Sequence, residues 1–287
     1  MKQLRCKHRH TPQEHPKCFF NGSPVHLVKN PPKVLIFDIE SSYSKAYTFD
    51  VWDANIGYDN ILEEWFLLSF SVKWLFEDKA EVFVLSPSEV KRRDDTRIVK
   101  LLWGFLDKAD IVIAHNAKKF DIPKSNSRFI QLGLTPPSTY QVVDTLQEAR
   151  RVFGFSHNSL NALAGYFGLD PKIETGKGLW KQCMAGDKAA LDELAEYNKQ
   201  DVLTLEDVYM RMRSWIRHPN MALFVEADTT VCPICAGNEI AVVGKPYRTQ
   251  VGIYTQFRCK NCGAIGRLRK TTLDKQFGKV LGVKTGF

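Results

Sequence analysis

The chain has 287 residues, 44% of them apolar and 25% charged, with a formal net charge of +8, enough for one large domain with small modules or for two domains. No apolar run approaches the roughly 18 residues that span a bilayer, and the charged N-terminus lacks the apolar segment of a signal peptide; both argue against a membrane or secreted protein and lead us to expect a cytoplasmic, reducing setting. The charge is unevenly spread: residues 1–30 carry six Lys/Arg and one Glu, residues 229–287 carry ten Lys/Arg and two acids, and residues 31–228 between them are net −5. An acidic centre between basic ends suits an enzyme that gathers carboxylates around metal and grips a polyanion; solubility alone is the competing explanation.

Residues 1–30 form a basic, Cys/His-rich head with Cys6, His8, His10, His15 and Cys18 close together. Zn²⁺ on Cys6, His8, His15 and Cys18, with His10 as the alternate to His8, would give so short a segment a reason to fold. A basic arm with incidental histidines is the other reading.

Residues 31–217 alternate strand and helix patterns. The run VLIFDIE at 34–40 is apolar and β-branched except for Asp38 and Glu40. In a strand, residues two apart share a face, so both carboxylates would project together. Paired carboxylates are costly to bury unless cations share them, which points to a divalent metal site. Further strands are predicted at 66–74, 80–85, 110–115 and 141–144, and helices at 96–106, from about 121 to 132, at 160–167 and at 187–215. This order makes an α/β layered domain with a mixed sheet. There is no P-loop and no dinucleotide-type glycine loop.

Asp121 follows one of these strands in the segment AHNAKKFD. With Pro123 behind it, it reads equally as a helix N-cap, while Asn116, Lys118 and Lys119 beside it suit a loop that handles phosphate. Tyr197 and Asp201, four apart on the long helix, share a face. Asp144 is a helix N-cap or a fifth acid near the site, and His115 a strand-end histidine.

Taken together, Asp38-x-Glu40, Asn116-x-x-x-Phe120-Asp121 and Tyr197-x-x-x-Asp201 resemble the DEDD superfamily of 3′–5′ exonucleases in its tyrosine-bearing subgroup. The second motif is similar to that of family B DNA polymerase proofreading domains. The stretch from Asp144-Thr-Leu to Tyr166-Phe-Gly-Leu169 is similar to stand-alone ribonuclease-H-like exonucleases. The resemblance covers about 33–215 and implies a ribonuclease-H-like mixed sheet flanked by helices. It also implies two Mg²⁺ or Mn²⁺ ions held by Asp38, Glu40, Asp121 and Asp201. Asp38 would bridge both ions, Glu40 and Asp201 would complete the site that activates water, and Asp121 would serve the leaving-group side. Tyr197 would position water or phosphate, and Asn116 with Lys118 or Lys119 would contact substrate. No polymerase palm follows, so proofreading would act in trans.

A short join, 218–228, leads to residues 229–269, where Cys232-x-x-Cys235 and Cys259-x-x-Cys262 form paired C-x-x-C motifs. Four thiolates at this spacing suit one structural Zn²⁺ in a ribbon; disulfides are the alternative and fit a reducing compartment poorly. Arg248, Arg258, Lys260, Arg267, Arg269 and Lys270, interleaved with Tyr247, Tyr254 and Phe257, favour a nucleic-acid grip over protein docking. Residues 270–287 form a basic tail. The expected activity is a two-metal 3′–5′ exonuclease acting on single-stranded or 3′-ended DNA, or on RNA, in replication or repair, with a polymerase as a candidate partner. A structure-specific nuclease on the same fold, or a non-catalytic zinc-ribbon adaptor, are the rivals. The small stand-alone architecture suits a viral or bacterial setting.

Overall fold

The structure, a computed structural model, describes residues 32–49, 55–169, 176, 178–226, 229–250 and 252–272. The expected head ligands Cys6, His8, His10, His15 and Cys18 lie outside the described residues. The chain divides into two compact units, one of residues 33–209 and one of the described residues from Met210 onward.

In chain order the first unit holds β1 (Val34–Ser41), β2 (Lys45–Ala46), β3 (Ile61–Glu63), β4 (Leu67–Trp74), β5 (Ala80–Val84), α1 (Pro87–Arg92), α2 (Thr96–Asp107), β6 (Ile111–Ala114), α3 (Asp121–Gln131), β7 (Gln141–Asp144), α4 (Thr145–Val152), α5 (Leu160–Tyr166) and α6 (Leu179–Met184). The long α7 (Lys188–Met212) runs on into the second unit, which adds β8 (Ile240–Thr249), β9 (Gly252–Cys259) and β10 (Ile265–Thr271). No helix among the described residues is long and apolar enough to cross a membrane.

The expected mixed sheet is present, in the order β5-β4-β1-β6-β7. β1 and β4 are antiparallel, as are β4 and β5. β1, β6 and β7 are parallel. β1 is therefore the central strand, and its residues alternate as its period requires. Leu35, Phe37 and Ile39 enter the core with Ile98, Val99, Leu102 and Leu106 of α2, which recur at helical spacing. Asp38 and Glu40 point to the other face. They stand opposite Ser71 and Ser69 of β4, and both serines are fully buried. Pairing between β1 and β6 stops at Ile36, so beyond it the sheet opens on one side of the two carboxylates while β4 continues to support the other.

Asp95 ties this framework together. It is fully buried, accepts the Leu67 backbone N–H at 2.8 Å where β4 begins, and holds the Arg128 guanidinium of α3 with contacts of 2.8 and 2.5 Å. Removing one partner of a buried ion pair leaves the other charge uncompensated. Asp95→Ala is expected to cost roughly 3–5 kcal/mol, read as a lower urea midpoint, with Asp95→Asn losing less because it can still accept the Leu67 N–H.

Candidate metal centre and nucleic-acid cleft

The site is built on β1, the β6–α3 loop and α7. Carboxylate oxygens of Asp38, Glu40 and Asp201 all lie within 4.8 Å of one another. They line a cleft of about 470 Å³, together with Asn116, Tyr197 and, on the far wall, Leu146, Arg150, Ser159 and Asn161. Tyr197 and Asp201 share one face of α7, as their spacing predicts, and the Tyr197 ring is set edge-on against Trp180 at 5.8 Å. Sequence reasoning passed over Asn198. It is fully buried, donates from Nδ2 to Asp38 Oδ2 at 2.6 Å, and accepts from the Ser69 hydroxyl at 3.1 Å. Its neighbour Tyr197 carried the motif, and an amide inside a helix gives no periodic signal of its own.

Asp121 is placed differently from the other three acids. Its helix has Phe120 at the N-cap and no side-chain cap bond, so Asp121 does not cap α3. Instead its Oδ1 accepts the Ile39 backbone N–H at 3.3 Å, between the two acidic positions of β1. It is 1% exposed, and its Oδ2 is buried with no hydrogen-bond partner among the described residues. Burial pushes its carboxyl up to about 7 against the lowering effect of the Ile39 N–H, with Asp144 adding like-charge repulsion. A buried carboxylate with an unsatisfied oxygen fits a cation ligand. Asp121 is not, however, among the three acids whose oxygens converge.

Asp144 is a clamp made of backbone contacts. It caps α4 by accepting Leu146 N–H and Gln147 N–H at 3.1 and 3.2 Å, and it also accepts Asn116 N–H and Lys118 N–H, each at 3.1 Å. These bonds shape the β6–α3 loop, in which Asn116 adopts φ 70°, a left-handed conformation that Asn tolerates better than most residues. His115 follows β6, with Nδ1 2.9 Å from the Thr145 hydroxyl. Lys118 and Lys119 are exposed and do not line the cleft. Arg150, which does line it, was not singled out from the sequence.

In the second unit Cys232, Cys235, Cys259 and Cys262 converge, all four sulfurs lying within 4.8 Å of one another. The Cys232–Cys262 and Cys235–Cys259 sulfurs are 3.8 and 3.6 Å apart, well beyond a disulfide bond of about 2.05 Å. They sit near the ~3.8 Å edge of a tetrahedron with ~2.3 Å metal–sulfur bonds. Each C-x-x-C turn is followed by a left-handed residue, Ala236 at φ 58° and Gly263 at φ 76°. The hydrogen bonds that the four thiols share bring Cys232 down to about 7 and lower Cys259, and push Cys235 and Cys262 up, so two of the four are favoured as thiolates before any cation is bound. Thiolate is the form that binds metal.

β8, β9 and β10 form an antiparallel sheet beside the cysteines. Of the aromatic residues expected to grip nucleic acid, Phe257 is buried and belongs to the module's interior. Tyr247 and Tyr254 pair across strands, with the Arg267 guanidinium 3.8 Å over the Tyr254 ring and 5.7 Å over that of Tyr247.

A family model described as RNase_H superfamily (RNase_H_2) matches residues 35–213. No curated protein matches the chain. Among solved structures, the family B DNA polymerase from the hyperthermophilic archaeon Pyrobaculum calidifontis is similar, at 20% identity and a TM-score of 0.49. That match covers 64% of this chain and 25% of the polymerase, so the chain spans about a quarter of the polymerase's length.

The Asp121 environment sets a pH dependence. Its folded-state carboxyl is raised from 3.8 to about 7, so the metal-free folded protein holds a proton there that the unfolded chain releases. Stability in EDTA is expected to fall as pH rises from about 4 to about 7 and then level off. Asp121→Asn should remove that slope and raise metal-free stability at pH 8 by roughly 2–4 kcal/mol, while losing the stabilisation that added Mn²⁺ gives the unsubstituted protein. Melting curves with and without Mn²⁺ across this range check both halves.

Proposed function

The chain belongs to the RNase_H superfamily, and we propose that within it this protein is a metal-dependent 3′–5′ exonuclease. It would hydrolyse nucleic-acid phosphodiester bonds and release nucleoside 5′-monophosphates. The observation that carries this reading is the convergence of the Asp38, Glu40 and Asp201 carboxylates in a cleft that Tyr197 also lines. Superfamily membership supports a nuclease. The finer reading rests on the choice of side chains.

Carboxylates so close repel one another unless cations share them, and hard divalent ions take oxygen ligands. Two Mg²⁺ or Mn²⁺ ions held there would activate water and neutralise charge on the phosphoryl and leaving oxygens. Asp38, braced by Asn198, would be the shared ligand. Glu40 and Asp201 would complete the water side, and Asp121 would reach the leaving-group side. A phenol ordinarily stays protonated near neutral pH, so Tyr197 would orient the water or the scissile phosphate by hydrogen bonding and not abstract a proton. Water adds to phosphorus as the P–O3′ bond breaks. The released nucleotide keeps the 5′-phosphate and the shortened strand ends in a 3′-hydroxyl.

The substrate of this reading is DNA in replication or repair, with a polymerase as the candidate partner. The Cys232, Cys235, Cys259 and Cys262 cluster would hold one structural Zn²⁺. The head, through Cys6, His8 or His10, His15 and Cys18, would hold a second. Residues 229–269 as a ribbon and the basic residues from 270 onward would help hold the strand.

Oligonucleotides of DNA and RNA labelled at the 5′ end test the activity. With Mg²⁺ or Mn²⁺ the expected product is a ladder shortening from the 3′ end, abolished in Asp201→Ala while binding is kept. A single internal product would indicate a structure-specific endonuclease, and binding without cleavage would leave a nucleic-acid adaptor. Metal analysis tests the zinc sites. A Cys232→Ser, Cys235→Ser variant should lose one zinc per chain and unfold its ribbon, as closed Cys₄ sites are structural. A second zinc that survives the double substitution would belong to the head.

A further inference from the structure

The far wall of the cleft is formed by α4, α5 and the loop between them, and the metal-site reading gives it no role. Leu146 and Arg150 of α4 line the cleft from one side of that loop, and Ser159, Leu160 and Asn161 line it from the other. Arg150 is the one Lys or Arg among the lining residues. It is exposed, and no side-chain hydrogen bond or ion pair joins its guanidinium to another described residue, whereas its neighbour Arg151 is engaged with Glu148. A guanidinium lining a pocket of carboxylates, with no side-chain partner among the described residues, is placed to take a phosphodiester group.

This loop and the far end of α5 together carry a column of aromatic rings. Phe153 stacks on Phe155 at 5.2 Å with 28° between planes. Phe155 stacks on Tyr166 at 5.1 Å with 14° between planes. Phe167 stands edge-on to Phe155 at 5.8 Å. Tyr166, at the end of the column, is 48% exposed. Each ring in the column is already paired face to face, and Tyr166 presents its side chain to solvent. An unpaired nucleobase can extend such a stack regardless of its sequence, which paired bases inside a duplex cannot do.

We propose that this wall is the track for the substrate strand, with Arg150 taking a backbone phosphate and Tyr166 stacking a base of single-stranded nucleic acid upstream of the bond to be cut. The inference rests on the nuclease reading for the direction of the strand. Its contacts require no chemistry at the carboxylates and are tested by binding alone.

The test uses the full chain with Ca²⁺ replacing Mg²⁺ and single-stranded deoxy- and ribo-oligonucleotides carrying 2-aminopurine at successive positions from the 3′ end. The unsubstituted protein should quench the fluorophore most at one upstream position. Tyr166→Ala should lose that quench and Tyr166→Phe should retain it. Arg150→Ala should weaken binding about tenfold and lower the slope of log K against log salt by about 0.7. Arg150→Ala binding with an unchanged constant and slope, an unchanged quench in Tyr166→Ala, or no binding by the unsubstituted protein would each overturn the track. Cleavage with Mg²⁺ or Mn²⁺ is scored separately. A protein that binds with the expected quench but never cleaves keeps the track and loses the nuclease reading. One that cleaves while both variants bind normally does the reverse.

Discussion

The costliest demand in the first unit is that three carboxylates be held together at the opening of a hydrophobic sheet. Like charges within 4.8 Å of one another oppose folding unless a cation or hydrogen-bond donors offset them. The framework meets this demand sterically as well as electrically. Ser69 and Ser71 stand across from Glu40 and Asp38, and their small side chains leave space for Asn198 to reach between the strands and α7. The amide then satisfies Asp38 with one end and Ser69 with the other. The central strand, the strand beside it and the helix that bears Tyr197 and Asp201 are thereby fixed to a common point, which preorganises the site before any ligand arrives.

The buried acids of this unit divide into two kinds by what they accept. Asp95 and Asp144 have their oxygens occupied by backbone N–H groups or by a guanidinium, so they hold the chain in shape. Asp121 has one oxygen on a backbone N–H and the other with no hydrogen-bond partner among the described residues. Polar atoms buried without partners are rare in folded proteins, and an unsatisfied carboxylate oxygen beside other acids suits a cation. Asp144 thus serves the framework, while Asp121 keeps an oxygen free for a cation, although both are buried acids beside the same loop.

Much of this was legible in the sequence wherever periodicity or a special residue type carried the signal. The mixed sheet, the two acids of β1 on a common face, the Tyr197–Asp201 helical pair and the convergent cysteines all follow from spacing. Element ends moved by a residue or two, as helix and strand termini do: the strand that carries the run at 34–40 ends at Ser41, with both carboxylates inside it. The short elements were passed over. α1 opens with a capping box, Ser86 and Glu89, and a proline, a signature present in the sequence but too brief to stand out as a periodic segment. α6 is similarly short, whereas the reading of Asp144 as a helix N-cap anticipates α4. Asn198 and Arg150 could not be read at all, because a buried amide and an exposed arginine gain meaning only from what the fold brings to them. Phe257 misled for the opposite reason. Alternation places it among charged residues, but Gly266 across from it leaves room for its ring to lie inward; a Cβ at Gly266 would meet that ring at 2.3 Å.

The second unit shows the same physics with a different solution. A three-stranded sheet with few buried apolar side chains is too small to be held by its core alone, and Val242 and Ile265 remain exposed on it. The four converging thiols would supply the missing cohesion on binding a common ion. With folding assigned to the cysteines, the strand faces are free to carry charge: residues 229–272 hold seven Lys/Arg and one acid, Glu239. Arg267 is held over the Tyr254 ring, with no carboxylate partner among the described residues. A cation held over an aromatic face keeps its charge available, whereas one held by an acid is neutralised. A module that orients its arginine in this way retains a positive surface at no cost to its own fold, and a polyanionic strand is the ligand such a surface suits.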